Sequence, residues 1–87
     1  MSDELLRENI DKVHTTKMGY ERIKRNISIE NDVDVVEWCK KVILNRDNNT
    51  YKNGKNFYIE LNDIRITVNS FSYTIITAHK IKNNKNG

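Results

Sequence analysis

Residues 53–69 read Asn53-Gly54-Lys55-Asn56-Phe57-Tyr58-Ile59-Glu60-Leu61-Asn62-Asp63-Ile64-Arg65-Ile66-Thr67-Val68-Asn69, and this stretch decides the fold. On either side of Asn62-Asp63 an apolar residue recurs at every second position, the period of a strand with one buried face. Asn53-Gly54 is the strongest hairpin signal in the chain, because a type I′ turn needs two residues that tolerate positive φ. Asn62-Asp63 supplies the next turn. Phe57, Ile59 and Leu61 should then face a core together with Ile64, Ile66 and Val68. Tyr58, Glu60, Arg65, Thr67 and Asn69 fall on the opposite face.

Outward from this stretch, a first strand is expected near Thr50 and Tyr51. Ser70-Phe71-Ser72 should turn the chain into a last strand from Tyr73 to His79. That strand has two possible parities, since Thr74, Ile76 and Ala78 compete with Tyr73, Ile75, Thr77 and His79 for the core. Burying the first set adds Tyr73, Thr77 and His79 to the polar face. Upstream of Arg46 the period is helical instead. Ser2 can cap a helix running to about Val13, with Asp3 and Glu4 in its first turn and Leu6, Ile10 and Val13 on one face. Thr15 or Thr16 can restart the chain as a second helix carrying Tyr20, Ile23 and Ile27, and Asn31 or Asp32 can cap a third. In that third helix Val35, Val36, Cys39, Val42 and Ile43 trace an apolar stripe, and Asn45 is the expected stop. Trp38 reads as core.

These elements predict an α+β fold, three N-terminal helices packed on a four-stranded antiparallel β-meander. Residues 1–80 form a single domain, with 81–87 a flexible tail. Eighty-seven residues leave no room for a second domain. No apolar run reaches the roughly 18 residues of a membrane span, and the acidic start is unlike a signal peptide, so a cytoplasmic protein with no membrane partner is expected. Cys39 is the single cysteine, which excludes an internal disulfide and a cysteine-based metal site.

The net charge of +3 is unevenly spread. Residues 17–26, 40–55 and 56–87 are basic, whereas 1–16 and 27–39 are acidic. An anionic partner such as RNA would be drawn to a patch formed by the basic blocks. The polar sheet face offers stacking rings in Tyr58 and Tyr73, a guanidinium in Arg65, amide and hydroxyl groups in Asn69 and Thr77, and an imidazole in His79. Arg22 and Lys80 are further candidate phosphate ligands. His79 and His14 are the candidate proton-transfer pair of a metal-independent ribonuclease, one accepting the attacking hydroxyl's proton and one protonating the leaving oxygen. Arg65 would stabilise the charge on the phosphorane. No cofactor and no metal are expected, since there is no glycine-rich phosphate loop, no Gly-x-Ser-x-Gly elbow and no metal-ligand spacing. The same face suits a protein partner, because tyrosine and arginine are favoured at interfaces. A phage or mobile-element regulator or inhibitor is therefore the alternative reading, and a small-molecule-binding domain a third.

Three segments carry a family resemblance: His14-Thr15-Thr16-Lys17-Met18-Gly19-Tyr20-Glu21-Arg22-Ile23, Val35-Val36-Glu37-Trp38-Cys39, and the run from Ile66 to Lys80. They resemble the small bacterial proteins of the domain of unknown function 3781 family. The resemblance spans nearly the whole chain and implies membership, not a chemistry. A looser architectural likeness is to the barnase, colicin and RelE-type ribonucleases, also helices followed by an antiparallel meander.

Overall fold

Asn53 pairs with Asn56 across the first hairpin, so its two-residue loop is Gly54-Lys55. Gly54 takes φ of 65° as the first central residue. A glycine there followed by a residue of ordinary φ is the type II′ pattern, and the turn lies one residue beyond the expected Asn53-Gly54. The computed structural model describes residues 2–27 and 33–81. Four antiparallel strands follow one another across a single sheet: β1 Asn49–Asn53, β2 Asn56–Leu61, β3 Ile64–Asn69 and β4 Ile75–Lys80. Asn62, at φ 56°, turns β2 into β3, a conformation that asparagine tolerates. Phe57, Ile59, Ile66 and Val68 are fully buried, and Leu61 and Ile64 pack at the margin of the same core.

The helical layer precedes the sheet in the chain: α1 Ser2–Glu8, α2 Lys17–Ile27 and α3 Val35–Leu44. Instead of one helix to Val13, α1 ends early and a 3-10 turn at Ile10–Lys12 follows. Asn9 is the physical reason, since its side-chain amide donates to the Leu5 carbonyl at 2.8 Å and draws the backbone out of helical register. Thr16 caps α2 by accepting from the Gly19 amide at 3.0 Å. Asp34 caps α3, accepting from the Val36 and Glu37 amides at 2.9 and 3.2 Å. Asn31 and Asp32, the expected caps, lie outside the described residues, as does the tail from Lys82. Leu6, Val13, Ile23, Ile27, Val35, Cys39, Val42 and Ile43 complete the core from the helical side. Trp38 is only partly buried at its edge, a correction to its assignment as core. The architecture is α+β.

Two departures reshape the last strand. His14, in the connection between the 3-10 turn and α2, forms an isolated parallel bridge with Thr74. Its amide donates to the Tyr73 carbonyl at 3.1 Å and its carbonyl accepts from the Ile75 amide at 2.6 Å. A segment of the helical half thus enters the sheet. The second departure is a bulge: Thr67 faces Thr77, but Val68 faces Ile75. Ile76 is the extra residue and is left 39% exposed. Neither expected parity therefore holds, because the bulge flips the strand between Ile75 and Ala78, and both are buried.

Candidate functional site

The helices cover one face of the sheet, and the strand registers compose the other face row by row. In one row Asn49, Glu60, Arg65 and His79 lie side by side. In the next lie Tyr51, Tyr58, Thr67 and Thr77. Asn53, Asn56 and Asn69 form a third. Tyr51 and Tyr58 stack with centroids 5.5 Å apart and planes 26° from parallel, so that each ring faces the other, Tyr51 exposed and Tyr58 half-buried. Asn56 Nδ2 donates to Tyr58 Oη at 3.4 Å.

Glu60 organises the charge on this face. Its Oε2 accepts from Tyr51 Oη at 2.9 Å and from Arg65 Nε at 3.0 Å, and it lies 2.9 Å from an Arg65 terminal nitrogen. The Tyr51 pKa is raised, first because its hydroxyl donates to the Glu60 carboxylate. Arg65 is thus committed to a carboxylate on one side of its guanidinium while it stays partly open to solvent. His79 is its cross-strand neighbour on β4.

Of the expected site residues, Tyr58, Arg65, Thr77, His79 and Asn69 share this face by register. Asn69 spends its side-chain oxygen on the β3–β4 turn, where it accepts from the Phe71 and Ser72 amides at 2.9 and 3.0 Å. Tyr73 is not on the face. It sits in that turn with φ of 59°, its ring stacked 6.5 Å from Phe57 on the core side and Lys12 Nζ 5.9 Å over it. A left-handed residue breaks the alternation on which its placement relied. Arg22 projects from the exposed side of α2, beside Lys17, Met18, Glu21 and Arg25, in the layer behind the sheet. Lys80 pairs with Ile64, two residues beyond buried Ala78, and so shares the helix-side parity.

The two histidines are not brought together. His14 is bridged to Thr74 before β4, and His79 lies five residues further along the same strand, about 16 Å away at strand rise. His14 Nδ1 must carry the proton, since it lies 2.8 Å from the Lys12 carbonyl oxygen, which can only accept. Nε2 faces Thr74 Oγ1 at 3.2 Å, and Ser72 Oγ follows at 2.7 Å. This chain of hydroxyls ties the β3–β4 turn to the helical half. It does not reach the polar face.

Tyr51 belongs to the site although the strand alternation alone did not place it there, and Glu60, which the alternation put on this face, was not named as a site residue. The hairpin register was the available signal: once Asn53 and Asn56 flank the loop, Tyr51 must oppose Tyr58. Among the described residues no cluster of three metal-ligating side chains exists, and no helix is long and apolar enough to cross a membrane.

The chain belongs to the family described as "Protein of unknown function (DUF3781)", whose model matches residues 7–79. No curated protein and no solved structure matches it, so the likeness to the barnase, colicin and RelE-type ribonucleases carries no argument.

Proposed function

We propose that the open sheet face binds single-stranded RNA, with Tyr51 and Tyr58 as the stacking platform and Arg65 and His79 meeting the backbone beside it. The stacked tyrosine pair is the observation that supports this reading most. A stacked pair on an antiparallel sheet, Tyr51 exposed and Tyr58 half-buried, leaves its outer ring faces for unstacked bases, and every base has a face to offer. The pair stands next to a guanidinium and an imidazole in the adjoining row, within reach of a phosphate between the bases. A basic net charge of +3 favours an anionic partner.

Cleavage is the less supported half of the ribonuclease reading. With His14 at the far end of the strand, His79 would have to work alone beside Arg65. Retention of RNA without hydrolysis fits the face better. The test is a filter-binding titration of single-stranded RNA at two salt concentrations, run in chelator beside a gel assay for cleavage. Salt-weakened binding that falls when Tyr58→Ala removes a ring supports the proposal; base stacking by one ring is worth about 1–3 kcal/mol. Absence of binding at both salts would turn the reading to a protein partner on the same face.

A further inference from the structure

The two edges of the sheet are treated differently. Along the outer edge of β4 the same chain takes up several main-chain groups: His14 bonds the Tyr73 carbonyl and the Ile75 amide, Thr15 Oγ1 donates to the Ile75 carbonyl at 2.9 Å, and Asn26 Nδ2 donates to the Ala78 carbonyl at 3.3 Å. This is how a sheet edge is closed against pairing. Among the described residues the β1 edge has no such hydrogen-bonded cover. Asn53 and Asn56 flank a two-residue loop and form a hydrogen-bonded pair, so Tyr51 and Asn49 are bonded to β2 as well and the alternate residues Thr50 and Lys52 turn their main-chain groups outward. Among the described residues no hydrogen bond from beyond the strand pair reaches the main chain of Thr50 or Lys52.

The sequence of this edge is self-complementary. Asn49-Thr50-Tyr51-Lys52-Asn53 keeps the pattern Asn-x-Tyr-x-Asn when read in either direction. We propose that β1 pairs antiparallel with β1 of a second copy of this chain about a two-fold axis at Tyr51, joining two four-stranded sheets into one of eight. In that register Thr50 exchanges both main-chain hydrogen bonds with Lys52 of the second copy, and Lys52 does so with Thr50. Tyr51 meets its own counterpart on the open face, and each Asn49 meets an Asn53. Centring on Lys52 would set two ammonium groups opposite each other, a like-charge contact that the Tyr51 register avoids. An isologous contact of this kind closes on itself and leaves no free edge at the junction, while the capped groups of β4 oppose the same pairing at the far edge. The proposal does not depend on what the open face binds.

Sedimentation equilibrium of the full chain tests it, with no RNA present. The wild type should sediment at twice its 10.3 kDa mass. Lys52→Pro removes an outward amide without touching the bonds to β2 and should give a monomer with an unchanged circular dichroism spectrum. Thr50→Lys places lysine opposite lysine twice and should raise the dimer dissociation constant at least about tenfold at low salt. The double change Thr50→Lys with Lys52→Glu turns both contacts into opposite-charge pairs and should restore the dimer, which a merely misfolded variant would not do. A wild type monomeric at millimolar concentration, or a double variant no more associated than Thr50→Lys alone, overturns the proposal.

Discussion

Glu60 Oε2 receives both the Tyr51 hydroxyl and the Arg65 guanidinium, so a single carboxylate holds the ring and the cation of the open face in place. The same carboxylate opposes a phosphate. Glu60→Gln keeps an acceptor for both donors and removes the negative charge, and single-stranded RNA should then bind several-fold more tightly at low salt, with the gain lost as salt rises. An unchanged or weaker affinity in the titration would place the ligand elsewhere. Gly19 is needed for a different reason: a Cβ there would collide with Thr15 Oγ1 and lie 3.2 Å from Thr16 Oγ1 and 3.5 Å from the Ile75 carbonyl. Gly19→Ala should cost about 1–3 kcal/mol in denaturant unfolding, the range for overpacking a close contact. Cys39 is fully buried, and burial pushes its thiol from 9.0 up to about 12. It should resist a thiol reagent in the native protein and react on unfolding. Since the unfolded thiol loses its proton from about pH 9 and the folded one retains it, this group contributes nothing against folding below 9.0 and weakens the fold progressively as pH rises toward about 12.

At the scale of elements, the sequence pattern is most legible where one period runs undisturbed. In β2 and β3 the alternation from Phe57 to Val68 specifies which apolar side chains reach the core, because a strand with one buried face tolerates no slip, although Thr67 on the other face of β3 is buried too. In β4 it fails, since Ile75, Ile76 and Ala78 are all apolar enough for the core and only the partner strand can place the bulge that buries the first and last. The position of Tyr73 was hidden for the same reason: its left-handed φ arises from the turn closed by Asn69 and from the His14 bridge, a contact 60 residues distant in the chain. The open face was therefore readable for Tyr58, Arg65, Thr77 and His79 and misread for Tyr73. The first hairpin gives a direct test of its turn. A Cβ added at Gly54 would meet nothing within 4 Å, so any penalty at this site is conformational and not steric crowding by neighbours. Gly54→Val should destabilise the fold by about 1–3 kcal/mol through its φ of 65°, whereas Gly54→Asn should cost less. Equal melting temperatures for the two variants would show that the loop does not require a left-handed residue.

Across the whole molecule, the candidate phosphate ligands Arg22 and Arg65 lie on two surfaces that the sheet separates. Lys17, Arg22 and Arg25 lie on the outer side of α2, and Arg65 lies on the open face among the tyrosines. The α2 surface is net positive and attracts a polyanion at long range, whereas Glu60 offsets the Arg65 charge on the open face; only contacts that displace counterions set the salt dependence of binding. If the strand runs across the sheet face, Arg65→Ala removes one phosphate contact and should lower the slope of log affinity against log salt by about 0.7, the single-strand value per phosphate. Arg22→Ala, a change of the same charge in the layer behind, should leave that slope unaltered. Reversal of the two effects would move the RNA to α2 and remove the tyrosine pair from the mechanism, because a strand held along the helix cannot also stack its bases on the far side of a sheet that lies between them.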